Sequence, residues 1–110
     1  MTLIAERPGP GAPRPYRFPQ IVRERVANGE VVAAHLPGHH LAVAVLLLDA
    51  GAGREPVGRE GLSGVVAKAL EEGTTRLTAD AFALALERLG TGLSLSTDWD
   101  SFRVAVEVPV

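Results

Sequence analysis

Cysteine is absent from this 110-residue chain, which excludes disulfides and thiolate metal sites and leaves the redox compartment open. Lysine occurs once, at Lys68. The remaining basic residues are scattered arginines, and a formal charge of −2 with no basic cluster offers nothing that would follow a phosphate backbone. Nucleic acid is therefore not an expected partner. No N-terminal run joins basic residues to an apolar stretch of signal-peptide length, because Met1–Ala5 gives way at once to prolines, so a cytoplasmic location without a membrane partner is the expectation. The glycine-rich stretches Gly51-x-Gly53 and Gly90-Thr91-Gly92 lack the context of a nucleotide loop, and Ser63 lacks a nucleophile elbow. They read as turn glycines and a plain serine.

What is present is enough for one globular unit, with 46% apolar and 22% charged residues. The preference for arginine over lysine, with abundant Ala, Gly and Val, fits a high-GC bacterial coding bias. Five of the eight prolines fall between Pro8 and Pro19, among Gly9, Gly11 and Ala12, and no hydrophobic period runs through them. Residues 1–20 therefore read as an extended arm, with Tyr16 and Phe18 placed to anchor its end on the domain. Asn28-Gly29 marks a turn, Val31 to His35 a strand, and Pro37-Gly38 a second turn. The run Leu41 to Leu48, apolar on both faces, suits a central strand covered from both sides.

A helix is expected from about Arg59 to Glu72, its core stripe formed by Leu62, Val65, Val66, Ala69 and Leu70. Gly64, Ala67, Lys68 and Glu71 then share the opposite face, and Gly73 closes the helix. Thr78 is an N-cap with Asp80 in the first turn, and Phe82, Ala85, Leu86 and Leu89 form the stripe of a second helix ended by Gly90. Leu93–Ser96 and Phe102–Val108 alternate with period two around the loop Thr97–Asp100. The expected class is α+β, an antiparallel sheet with helices packed on it in the order β-β-α-α-β-β.

The segment Gly61-Leu62-Ser63-Gly64-Val65-Val66-Ala67-Lys68, then four residues, then Gly73-Thr74, resembles a frame of the insulinase and mitochondrial-processing-peptidase family of zinc metallopeptidases. In that family the frame reads Gly-Leu-Ala-His-x-x-Glu-His, four residues, Gly-Thr. Laid on without a gap, the first His falls on Gly64, the general-base Glu on Ala67 and the second His on Lys68. The loop Ala50-Gly51…Arg54-Glu55-Pro56 and Leu86-Glu87-Arg88-Leu89-Gly90 carry looser likenesses to the same family. The resemblance implies that residues 21–110 correspond to the first, incomplete half of the family's N-terminal domain, so that the chain reads as a fragment of something longer.

Two His four apart on a helix can share one zinc ion, with a Glu beside the second as base toward the metal-bound water. Gly64 and Ala67 carry no donor atom and Lys68 carries a cation. No catalytic, cofactor or metal residue is therefore assigned, and the chain is expected to be inactive alone. The resemblance implies a non-catalytic subunit or domain that pairs as a heterodimer with an active insulinase-family subunit holding the zinc, the two enclosing a peptide substrate. An active zinc metalloendopeptidase with a different metal site and a structural assembly subunit are the alternatives.

Other candidates read more simply. His35, His39 and His40 cluster about the Pro37-Gly38 turn as exposed turn residues, and Asp98 and Asp100 as turn formers. Trp99, between the two acids, reads first as a simple internal packing contact, and it is also the best candidate in the chain for an interface anchor.

Overall fold

A computed structural model of the chain describes residues 9–13 and 15–110. They fall into two compact units, one ending at Pro37 and the other running from Gly38 to Val110. The reading of Met1–Ala5 lies outside the described residues.

In the first unit no regular element precedes Ile21 among the described residues. Tyr16 and Phe18 are exposed and meet each other edge to face, with ring centroids 4.9 Å apart. The unit's sheet is a hairpin of β1 (Ile21–Val26) and β2 (Gly29–Ala34), paired antiparallel from Ile21↔Ala34 to Val26↔Gly29. Strand β1 was not foreseen, because Arg23, Glu24 and Arg25 interrupt its apolar alternation; cross-strand partners, not pattern, hold it. The turn is one residue earlier than expected: its central residues are Ala27, at φ 50, and Asn28, while Gly29 already belongs to β2.

In the second unit β3 (Leu41–Leu48) leads through a turn of 3₁₀ helix at Ala52–Arg54 to α1 (Leu62–Ala69). Helix α2 (Ala79–Arg88) follows, then β4 (Leu93–Thr97) and β5 (Phe102–Pro109). The chain is α+β, and the expected order of elements is present with β1 added ahead of it. The sheet order is β3-β5-β4, both pairings antiparallel, Leu48 lying opposite Phe102 and Thr97 opposite the same residue on the other side. Strand β5 is therefore central and β3 is an edge, contrary to the expectation. An unbroken apolar run signals cover on both faces but carries no information about strand neighbours. Here the side chains of β3 stand exposed, and the buried core of the described chain is Phe102 and Ala105, at 3% and 4% exposure on opposite faces of β5.

Helix α2 starts as its sequence dictates. The Thr78 side chain accepts a hydrogen bond from Ala81 N, Asp80 occupies the first turn, and Phe82, Ala85 and Leu86 are half-buried. Leu89 lies beyond the covered face and is exposed.

Candidate functional site

Helix α1 is shorter than its apolar period suggested, and its first turn shows why. Gly61 precedes it at φ 94, a left-handed conformation, and the Glu55 carboxylate takes the place of a capping side chain. Glu55 Oε2 accepts from Gly61 N at 2.6 Å, and Oε1 accepts from Ser63 N at 2.8 Å and from Ser63 Oγ at 2.5 Å. These bonds, the one from the Ser63 hydroxyl foremost, hold the Glu55 carboxyl below its ordinary range. Ser63 Oγ in turn accepts from Thr97 Oγ1 at 3.0 Å, at the end of β4. A relay from Thr97 to Ser63 to Glu55 thus ties the strand, the helix and the loop before it. Sequence reasoning missed this cluster, although Glu55 and Ser63 both stand within the family-like stretches.

The relay sets the rotation of α1. Ser63 is its one buried residue, at 9% exposure, whereas Val65, expected in the core stripe, is 65% exposed. Leu62, Val66 and Leu70 line an apolar recess of about 380 Å³ with Leu48, Pro56 and Phe102. Ala67, Lys68 and Glu71 line another, of about 360 Å³, whose far wall is Leu93, Ser94 and Leu95 of β4. Three of the four residues expected on one face are brought together, and that face runs beside an edge strand. Gly64 stands apart on open ground, where an added Cβ would have nothing within 4 Å.

The donor set does not fit zinc. Ala67 contributes a methyl group, Lys68 a cation and Glu71 a single exposed carboxylate, against the three or four protein ligands that zinc requires. Among the described residues no three His, Asp or Glu side chains are grouped to hold a metal ion, the His35, His39 and His40 cluster included.

No protein-family model matches this sequence, and no curated protein matches it. In fold the chain is similar to the crystal structure of a protease from Helicobacter pylori, with a TM-score of 0.74 at 22% identity. The likeness covers 84% of this chain and 22% of that one, so the chain spans about a fifth of the protease's length. At that identity the shared feature is the fold.

The second cluster lies at the β4–β5 turn. Asp98 Oδ1 accepts from Asp100 N at 2.9 Å and Ser101 N at 2.6 Å, and Oδ2 from Ser101 Oγ at 3.0 Å. The Ser101 bonds, its backbone N–H first, hold the Asp98 carboxyl below its usual range. Asp98 is a turn former, as expected, with its acceptors committed to the loop. From the 3₁₀ turn after β3, Ala52 N and Gly53 N donate to the carbonyls of Asp98 and Trp99, both at 2.8 Å. Arg54 closes the loop by pairing with Asp49 through two bonds of 2.9 and 2.5 Å. Among the described residues, no helix is long and apolar enough to cross a membrane.

Proposed function

We propose that this chain is a non-catalytic, insulinase-like member of a peptidase assembly that holds an extended peptide along β4 beside the vacated face of α1. One juxtaposition carries the reading: a helix face bearing Ala67 and Lys68 where a peptidase would place its base and second ligand, set across a recess from a strand free on one edge. An edge strand presents unpaired backbone N–H and C=O groups, and an extended peptide satisfies them by adding a strand. The fold likeness to a protease supports the peptidase side of the reading. The identity of residues 64, 67 and 68 supports the silent side.

Zinc and hydrolysis then belong to a companion chain with an intact His-x-x-Glu-His. Co-expression of this chain with a companion encoded in an adjacent reading frame tests the proposal. Peptide hydrolysis is expected only from the pair, and metal analysis is expected to find zinc with the companion alone. Hydrolysis by the isolated chain with stoichiometric zinc would refute the reading.

A further inference from the structure

Trp99, at the tip of a loop held by several hydrogen bonds, is 72% exposed. The backbone beneath it is fixed by the Asp98 turn and by the donors Ala52 N and Gly53 N. One edge of the indole lies over Gly53, where a Cβ would come within 3.0 Å of Nε1. Trp99, Gly53, Asp49, Arg54 and Asp100 enclose a recess of about 200 Å³.

The charges around the recess are unequal in their engagement. Arg54 and Asp49 neutralise each other, and the Asp98 carboxylate is occupied by its own loop. Among the described residues Asp100 joins no ion pair, and no cation lies over the Trp99 ring. An electron-rich face that shares its recess with an acidic residue, Asp100, over a fixed backbone is complementary to a planar cation.

We infer that the Trp99 loop is a preformed docking site for an arginine side chain on a partner protein, the guanidinium stacking on the indole and bonding to Asp100. Rigid aromatic anchors of this kind carry much of the energy of an interface, because little is lost on ordering them. The site is distinct from the α1–β4 recess and stands whether or not peptide binds there.

Trp99 is the only tryptophan, so its indole N–H gives a single resonance and its emission is the whole tryptophan signal. The full chain is titrated with a blocked Gly-Arg-Gly peptide, and with the same peptide carrying citrulline, which keeps the planar shape but loses the charge. Saturable shifts of the indole resonance are expected in the millimolar range with arginine, at least fivefold weaker with citrulline and in Asp100→Asn. Asp100→Glu, which keeps the charge, is expected to restore most of the binding. Equal responses to arginine and citrulline, no loss in Asp100→Asn, or no saturation with either peptide would each overturn the assignment.

Discussion

A Cβ on Gly51 would fall 2.5 Å from the Ser101 amide nitrogen and 2.6 Å from the Trp99 carbonyl oxygen, both backbone atoms with little room to give. Gly51→Ala is expected to cost about 1–3 kcal/mol, the range for overpacking, seen as a lower urea midpoint with an unchanged slope. Gly64 is the opposite case. Its helix has open space on that side, so Gly64→Ala is expected to raise stability by up to about 1 kcal/mol through propensity alone. The pair distinguishes a glycine required by close approach from one that is merely tolerated.

At the scale of elements, the β1–β2 turn places Ala27 at φ 50, where a Cβ is crowded by the backbone. Ala27→Gly is expected to stabilise this hairpin by about 1 kcal/mol, measured by hydrogen exchange of the strand amides of β1 and β2. Helix α1 offers a pH-dependent counterpart. The Glu55 carboxyl lies below its ordinary value when folded, so its contribution is fully present above the unfolded value and is lost as pH falls through the folded one. Glu55→Gln is expected to lower the melting temperature near neutrality and to flatten its decline toward acid, leaving the part due to Asp49, Glu60 and Asp98.

The scale of the whole molecule shows what was legible in advance. Thr78, Asp80 and the Phe82–Leu86 stripe announced α2, and the alternation of β4 and β5 announced their hairpin, because local rules decide those elements. The place of β3 in the sheet was illegible, since an apolar run names no strand neighbours, and here its side chains stand exposed. The Glu55–Ser63–Thr97 relay was equally hidden: its members are 8 and 34 residues apart, and only the fold brings them together. Strand β3 exposes a run of apolar side chains, Leu41, Val43 and Val45 to Leu48. Leu47→Lys is expected to change stability by less than about 0.5 kcal/mol while reducing aggregation in light scattering, because a lysine disfavours edge-to-edge addition.

The relay also has a mechanical reading. One serine hydroxyl fixes the distance between a helix and the rim of a sheet, so the width of the trough between them is set from its end, as a hinge pin sets a door. Removing that hydroxyl, in Ser63→Ala, would leave the trough walls intact and its spacing unregulated.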